Sequence, residues 1–405
     1  MKKLIVMIII IVILSVGSIF VWTKILNSDE KKEEDRIKNA RIEVTLNDNL
    51  TAEFYSKKKV SDFITSINGD IVDDFLVDTN TVGKSKVEFE FVNDEGIQVP
   101  YSYEINVVDT VAPSIWISST YFVNKGYYGD LLEEVTCADN YDDNPKCEII
   151  GDYNPDVVGD YNLTFVATDS SGNKTTKDFI LKVITPTGSG SRSSSGSTTF
   201  DTVVSWYKSD NSKIGIDVSE WQNEIDFEAV KNAGVEFAII RVGGTKGIDG
   251  EYFLDAQFKR NIEGFKSVGI PVGIYFYSYA KDKEAAINDA KWVIEQIKDY
   301  EIDLPIAYDW ENWSFYNDFH NSFYTLTNNA MAFLNTLKDA GYDGMLYSSY
   351  NYLEKAWFDV PYTHWLAHYT DKTDYKGEYT YWQLCSNGEV AGINGYVDIN
   401  VMFLK

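Results

Sequence analysis

Four acidic residues in the C-terminal half of the chain have side chains whose types and spacing could transfer protons. Asp309 and Glu311 are two residues apart at the end of an apolar β-type run, so their side chains point to the same side. Asp217 ends another run, and Asp398 lies in a further one. Carboxyl groups gathered in one place raise each other's pKa, so at least one keeps its proton near neutrality. The set predicts general acid catalysis on a sugar, with a solvated acidic patch as the alternative.

The elements that must position these groups are short β-type runs that alternate with amphipathic helical patterns from about residue 205 onwards. This alternation predicts parallel strands with crossover helices, and eight runs predict a closed, TIM-like (β/α) barrel. Functional groups in such a barrel lie at the C-terminal ends of strands. The last connections are too short for full helices, so we expect an irregular barrel. The predicted strands are 214–218, 237–242, 272–277, 305–308, 344–348, 365–369, 380–384 and 397–402.

This last domain, from about residue 213 to residue 405, resembles the family 25 glycoside hydrolases, which are lysozymes of the N-acetylmuramidase type. The resemblance implies cleavage of the β-1,4 bond between N-acetylmuramic acid and N-acetylglucosamine in peptidoglycan, with net retention. It rests on these motifs: 215–219 (Gly-Ile-Asp-Val-Ser) with Gln222 and 225–226 (Ile-Asp), 308–311 (Tyr-Asp-Trp-Glu), 347–349 (Tyr-Ser-Ser), 381–383 (Tyr-Trp-Gln) and 395–398 (Gly-Tyr-Val-Asp).

The same resemblance implies a role for each carboxyl group. Glu311 is expected to be the acid and later the base, while Asp309 orients the substrate's own 2-acetamido group, which attacks the anomeric carbon. Asp217 and Asp398 are expected to hold the network and to bind sugar hydroxyl groups. Three positions depart from the family pattern: Asn223 stands where a glycine is common, Phe227 stands where a tryptophan is common, and 275–277 lacks a histidine that is often found there. These departures bear on substrate preference more than on activity.

Aromatic residues at or near strand ends form the predicted sugar-binding surface. Their rings cover apolar C–H surface while hydroxyl and indole N–H groups bond sugar oxygens. Core packing is an equally good interpretation of each ring taken alone. Arg241, at the end of the second run, is expected either to pair with a carboxylate of the cluster or to bind substrate. The predicted aromatic contacts are Tyr275, Tyr277, Trp313, Tyr347, Trp365, Tyr369 and Trp382.

Two other catalytic chemistries have less support. His364 and His368 are four residues apart in a predicted strand, where about 13 Å separates them and they cannot share one ion. Cys385 has no activating base nearby in the sequence, so packing is the default interpretation. We therefore expect neither a metal nor a cofactor.

The N-terminal residues predict attachment to a membrane. Lys2 and Lys3 precede an apolar run, 4–22, that is long enough to cross a bilayer. The small residues lie inside this run, which favours an uncleaved anchor at 1–25 over a cleaved signal sequence. The flanking charges predict a single-pass cell-membrane protein with the bulk of the chain outside. The net charge of −26 argues against nucleic acid as a partner.

Two stretches between the anchor and the barrel read alike, 81–108 and 157–184. Their period-two apolar residues and turns predict two small all-β sandwich modules, at 37–108 and 109–185. The second resembles bacterial immunoglobulin-like modules, and by that likeness the modules are spacers or weak wall-binding units, a plain stalk being the simpler interpretation. Cys137 and Cys147 are expected to pair in the oxidising exterior. A Gly/Ser/Thr linker follows at 186–204, then the catalytic domain at 205–405.

Three functions compete for the chain. The first is a membrane-tethered muramidase that acts on peptidoglycan glycan strands. The second is a tethered protein that binds the glycan without turnover, although a site that had lost turnover would be expected to lose its acid first. The third, a surface stalk, leaves the acidic cluster unexplained.

Overall fold

The computed structural model describes residue 32 and residues 35–116, 119–134, 136–185, 196–247, 250–311 and 321–404. The chain divides into two compact units, Met1–Thr110 and Val111–Lys405. The predicted anchor, 1–25, and residues 186–195 of the predicted linker lie outside the described residues. Within the part that is described, no helix is both long and apolar enough to cross a bilayer.

Residues 41–110 of the first unit form an all-β module with a four-stranded and a two-stranded sheet. Its strands are β1 (Val44–Leu46), β2 (Thr51–Glu53), β3 (Ile64–Ile67), β4 (Gly69–Ile71), β5 (Gly83–Asn93) and β6 (Gln98–Val108). β5 and β6 form a long antiparallel hairpin, flanked by β4 and by the parallel strand β2, while β1 pairs with β3. Alternate hairpin residues such as Phe89, Phe91 and Tyr103 are buried, as in a half-buried sheet.

The second unit begins with another all-β module. Its strands are β7 (Ser114–Trp116), β8 (Thr120–Asn124), β9 (Thr136–Ala138), β10 (Lys146–Ile150), β11 (Gly159–Thr168) and β12 (Lys174–Ile184). They form a four-stranded sheet, β10-β11-β12-β8, and a two-stranded sheet, β7-β9. The sequence repeat corresponds to the two hairpins, because Gly83 pairs with Val107 as Gly159 pairs with Val183. A disulfide joins Cys137 to Cys147. The immunoglobulin-like identity stays a prediction.

A barrel follows in the same unit. Its strands are β13 (Thr198–Thr199), β14 (Ser212–Val218), β15 (Ala238–Thr245), β16 (Tyr252–Leu254), β17 (Val272–Tyr277), β18 (Ile306–Asp309), β19 (Gly344–Ser349), β20 (Thr363–Ala367), β21 (Tyr381–Glu389) and β22 (Val397–Phe403). Eight strands close in the order β14-β15-β17-β18-β19-β20-β21-β22, with β22 paired to both β21 and β14. The prediction of a closed eight-stranded barrel is therefore confirmed.

The helices explain why this barrel departs from a regular TIM barrel. They are α1 (Phe200–Tyr207), α2 (Phe227–Asn232), α3 (Phe258–Ser267), α4 (Lys283–Ile297), α5 (Phe323–Asp339) and α6 (Tyr350–Lys355). The described residues contain no helix after β20 or β21, and β22 runs antiparallel to both of its neighbours. A parallel neighbour needs a long crossover, which the short connection from β21 to β22 does not provide. The sequence predicted an irregular barrel, and the described residues depart from the regular (β/α)8 pattern at these last strands.

The barrel domain also begins earlier in the chain than residue 205. Thr198 and Thr199 pair in parallel with Gly388 and Glu389 of β21. Helix α1 buries Phe200 and Val203 against the barrel core. Residues 198–204, predicted as linker, therefore pack with the barrel, because their apolar side chains fill its flank.

Candidate active site

The C-terminal ends of the parallel barrel strands and the N-terminal end of β22 surround a groove of about 380 Å³. All four predicted carboxyl groups line it. Asp217 and Asp309 lie at the ends of β14 and β18, and Glu311 follows β18. Asp398 faces Asp217 directly in the antiparallel pairing of β22 with β14. The residues around the groove are Asp217, Trp221, Arg241, Tyr275, Tyr277, Asp309, Glu311, Tyr347, Trp365, Tyr369, Gln383 and Asp398.

Two side-chain amides hold one side of the groove. The Nε2 group of Gln383 donates to Oδ2 of Asp217 at 2.9 Å and to Oδ2 of Asp398 at 2.8 Å. The Nδ2 group of Asn400 donates to the same Asp217 oxygen at 2.7 Å. Hydrogen bonds to a carboxylate favour its ionised form and fix its position. The Asp217–Asp398 pair is therefore held in one geometry.

Aromatic residues set the direction of these two amides. The amide oxygen of Gln383 accepts from the hydroxyl groups of Tyr347, at 2.8 Å, and Tyr369, at 3.1 Å. The indole N–H of Trp365 donates to Oδ1 of Asn400 at 2.8 Å. Because a tyrosine hydroxyl or indole N–H satisfies each amide oxygen, each NH2 group is left to face the carboxyl groups. The network thus runs from the aromatic side chains to Asp217.

The other side of the groove is less bonded. Asp309 is 5% exposed, and its Oδ1 has no hydrogen-bond partner among the described residues. Its carbonyl oxygen accepts from the Ser278 amide at 2.8 Å, which holds the strand end in place. Glu311 is exposed at the rim, and the intervening Trp310 is buried in the core. The alternation of β18 thus turns both acids towards the groove and the tryptophan away from it.

Burial raises the pKa of all four acids, and neighbouring carboxyl groups add to the rise for Asp217, Asp309 and Asp398. Burial, Glu311 and then Asp217 raise the pKa of Asp309 well above its ordinary value, while Arg241 opposes this. Burial raises the pKa of Asp217 to about 6, against the hydrogen bonds from Asn400 and Gln383. Burial, then Asp217 and Glu311, raise the pKa of Asp398 to about 9. Burial of the Glu311 carboxyl group raises its pKa despite a hydrogen bond with Tyr347, although another part of the residue is exposed at the rim. The groove therefore holds protons near neutrality.

Arg241 does not pair with a carboxylate of the catalytic cluster, and its predicted contact with substrate stays a prediction. Its Nε donates to Asp255 and its Nη2 to Glu220, both at 2.7 Å. These carboxylates lie outside the catalytic cluster, in the turn after β14 and the segment after β16. The guanidinium lines the groove, and its charge lowers the pKa of Asp309.

Five of the seven predicted aromatic residues line the groove. Tyr347 and Trp365 are buried in its floor, where their polar atoms orient the amides. Tyr369 is 57% exposed and presents its ring to solvent. Tyr275 and Tyr277 line the groove from β17. Half-buried and exposed rings such as these can cover a sugar face.

The prediction for Trp382 is wrong. Its side chain is 1% exposed, packs edge-on against Tyr207 at 5.1 Å and donates to the carbonyl of His368. On β21 the neighbouring residue Gln383 points into the barrel, so Trp382 must point outwards, beneath α1. Trp313 lies outside the described residues.

Sequence reasoning missed three residues of the site. Trp221 lines the groove with 75% of its surface exposed, in the 3-10 turn Glu220–Gln222 that Ser219 caps. Gln383 and Asn400 hold the carboxyl groups. A signal existed for both amides, because each lies two residues from another side chain that faces the barrel interior.

Cys385, the alternative nucleophile, does not line the groove, and neither do His364 and His368, the alternative metal ligands. Cys385 is buried, and burial raises the pKa of its thiol, whereas a nucleophilic cysteine needs a lowered pKa. The ring nitrogens of His364 meet the carbonyl groups of Glu378 and Val360, while His368 Nδ1 meets the Thr373 hydroxyl.

Comparison with known proteins shows which proteins this barrel resembles. Residues 216–393 match the family model described as Glycosyl hydrolases family 25. The barrel is therefore similar to the glycoside hydrolases of that family. An autolytic lysozyme of Clostridium acetobutylicum is 28% identical over 191 residues, which is 46% of this chain and 54% of that protein. Lysozyme M1 of Streptomyces globisporus is 27% identical over 212 residues, covering 46% of this chain and 66% of that protein.

Solved structures with similar parts include the modular autolysin LytC from Streptococcus pneumoniae, with a TM-score of 0.43 and 27% identity, covering 59% of this chain and 56% of that one. A family 25 glycosyl hydrolase from Bacillus anthracis has a TM-score of 0.44 at 20% identity, covering 53% and 96%. The chain spans about half the length of the autolytic lysozyme and of the LytC chain that it matches.

Proposed function

We propose that the C-terminal domain is a muramidase that hydrolyses the β-1,4 bond between N-acetylmuramic acid and N-acetylglucosamine in peptidoglycan. The observation that carries the proposal is the meeting of four carboxyl groups in one aromatic-lined groove, with raised pKa values on both Asp309 and Glu311. Lysozymes among the relatives of this domain support the choice of substrate.

Glu311 is the general acid in this proposal. Its raised pKa keeps a proton on the carboxyl group, and its exposed position at the rim gives that proton a path to the oxygen of the glycosidic bond. Proton transfer to this oxygen lets the C–O bond break without forming an alkoxide. The carboxylate that remains then accepts a proton from the incoming water.

Asp309 acts on the 2-acetamido group of the sugar. Its buried Oδ1, which has no partner among the described residues, is an acceptor suited to the N–H of that group. A hydrogen bond from this N–H stabilises the ionised form of Asp309 and lowers its pKa. The acetamido oxygen attacks the anomeric carbon, and water then opens the resulting ring, so the product keeps the β configuration.

The amide-held side of the groove binds the sugar and limits movement. Asp217 and Asp398 keep fixed positions through Gln383 and Asn400. They serve as acceptors for sugar hydroxyl groups. The exposed rings of Trp221 and Tyr369 flank the glycan strand.

The location of the enzyme is also a proposal. The apolar run within residues 1–25 holds the chain in the cell membrane, with the remainder outside. The disulfide in the second β module supports an oxidising exterior. Cell fractionation tests the anchor: the chain is expected in the membrane fraction, and its recovery in the medium, shortened at the N-terminus, would show a cleaved signal.

Product analysis tests the muramidase. Purified peptidoglycan is digested with the full chain, and mass spectrometry of the released muropeptides is expected to show new reducing ends at N-acetylmuramic acid. Proton NMR of the first products should show the β-anomer, as retention requires. New reducing ends at N-acetylglucosamine would show that the enzyme cleaves a different bond from the one proposed. Glycan binding without products would show a binding protein.

A further inference from the structure

The helix that follows Glu311 in the described chain depends on the second β module for its N-terminal hydrogen bonds. The first four N–H groups of an α-helix have no partner within the helix. At α5, three of the four are satisfied from the β module, and only Thr325 N bonds locally, to the N-cap hydroxyl of Ser322. The three bonds are Ser322 N to Asp143 Oδ1 (2.6 Å), Phe323 N to the Asp139 carbonyl (2.9 Å) and Tyr324 N to the Asn140 carbonyl (3.3 Å).

The β module also supplies the charge that this helix lacks. The first turn of α5 contains no acidic residue of its own. Asp143 provides a carboxylate at this end, and its Oδ1 also accepts from the Thr325 hydroxyl at 2.8 Å. An anion near a helix N-terminus is stabilised by the partial positive charge there. Asp143 therefore fixes where α5 begins.

Apolar contacts continue the junction towards the acid. The ring of Trp116 in β7 meets Phe323 at 5.5 Å and Tyr352 at 6.3 Å, both edge-on. The neighbouring strand β9 contributes Ala138 to the core of the barrel. Tyr352 donates its hydroxyl hydrogen to the carbonyl oxygen of Glu311 at 3.4 Å. One side chain, Tyr352, thus contacts both the β module and the backbone of the proposed acid.

Helix α5 leads to the second acid as well. It buries one face in the barrel, and its Phe333 packs against Tyr308 with ring centroids 5.2 Å apart. Tyr308 immediately precedes Asp309 on β18. The position of the helix therefore bears on the strand end that carries Asp309.

We infer that the second β module, residues 111–185, is a working part of the catalytic unit, with Trp116 and Asp143 as positioning residues for Glu311 and Asp309. A spacer would leave the module and the barrel with separate surfaces, whereas here the module completes a barrel helix. This inference rests on the proposed muramidase function for its effect on rate. The junction itself is tested without activity.

The activity test uses full-length variants in a peptidoglycan solubilisation assay. Trp116→Ala and Asp143→Ala are each expected to lower kcat about tenfold while KM changes less than about twofold, because a small displacement of catalytic groups costs rate more than binding. Trp116→Phe, which keeps an aromatic ring, should recover most of the loss. Matched controls in the same module, Tyr128→Ala and Asp152→Ala, alter exposed side chains away from the junction and should leave kcat unchanged.

Hydrogen exchange tests the junction independently of catalysis. The amides of Phe323 and Tyr324 are expected to exchange slowly in the wild-type chain and at least about tenfold faster in Asp143→Ala and Trp116→Ala, but not in the controls. Unchanged exchange would overturn the junction. Faster exchange with an unchanged kcat would overturn the positioning role, and a wild-type chain without activity would remove the proposed function while leaving the exchange result valid.

Discussion

The two sides of the groove contain the same chemical groups but differ in how many hydrogen bonds hold those groups. On one side, Asp217 and Asp398 share the amide of Gln383, and Asn400 adds a second donor to Asp217. On the other side, Asp309 has a buried oxygen without a partner among the described residues, and Glu311 reaches solvent. Hydrogen bonding is what separates the two pairs.

This difference indicates a division of work. A carboxylate held by fixed amide donors is positioned but has little freedom to change its bonds. A buried carboxyl oxygen without a partner is costly unless a ligand bonds to it or its reaction requires it. The more strongly bonded side, with Asp217 and Asp398, is therefore the frame of the site, and the less bonded side, with Asp309 and Glu311, is where bonds change during turnover.

Replacing the acid should have the largest effect. Glu311→Gln keeps the shape of the side chain and removes the transferable proton, so kcat is expected to fall about 10³-fold. Glycan binding, measured by co-sedimentation with peptidoglycan, should stay near that of the wild type. The exposed helix residue variant Glu228→Gln is the control, with unchanged turnover. Equal losses of kcat in Glu311→Gln and Glu228→Gln would contradict the role of Glu311 as the general acid.

Replacing Asp309, the other acid on the less bonded side, should have the next largest effect on kcat. Asp309→Asn keeps an acceptor oxygen but not the negative charge that supports the acetamido group as it becomes positive. We expect kcat to fall about 10²-fold, with a smaller change in KM. A substrate without the acetamido group offers a second check, since the variant and the wild type should then differ little. A large difference on that substrate would assign Asp309 another role.

A change on the bonded side should cost less. Gln383→Leu removes the donors to Asp217 and Asp398 while both carboxyl groups remain. A hydrogen bond to a charged group contributes about 1.5–3 kcal/mol, so kcat/KM should fall about tenfold to a hundredfold. Gln296→Leu, on helix α4, is the matched control. A loss as large as that of Glu311→Gln would place the reacting groups on this side instead.

The smallest predicted effect concerns stability. The pKa of Asp398 rises from 3.8 to about 9 in the folded chain, so folding takes up a proton between these two pH values. Stability from this group is therefore lost as pH rises through that window. Asp398→Asn removes the titration and should increase the free energy of unfolding at neutral pH by about 1 kcal/mol. Urea unfolding at acidic and neutral pH checks this, and a gain at acidic pH alone would contradict it.

Much of the barrel could be predicted because its strands are short apolar runs with clear boundaries. The predicted run 272–277 and the strand Val272–Tyr277 coincide, and the predicted carboxyl groups lie together in one groove. The side on which Trp382 lies could not be predicted. A barrel strand is apolar on both faces, since one faces the interior and the other faces helices, so β21 shows no alternation that separates them.

Contacts between distant segments left the weakest signal in the sequence. Arg241 is a plausible partner for any nearby acid, and only the fold selects Asp255 and Glu220. The junction of the β module with α5 depends on backbone carbonyl groups of Asp139 and Asn140, which every residue type has. Such contacts depend on where the fold places the backbone and not on the types of the side chains.

The pH dependence of kcat tests most directly whether burial in the groove keeps a proton on Glu311. The acid must be protonated to act, so kcat should fall as pH rises through its pKa, and this fall should lie above the ordinary glutamate value of 4.5. The account predicts such an alkaline limb for the wild-type chain and its absence from the residual activity of Glu311→Gln. A wild-type kcat that is flat across the neutral range, or the same limb in the variant, would contradict it.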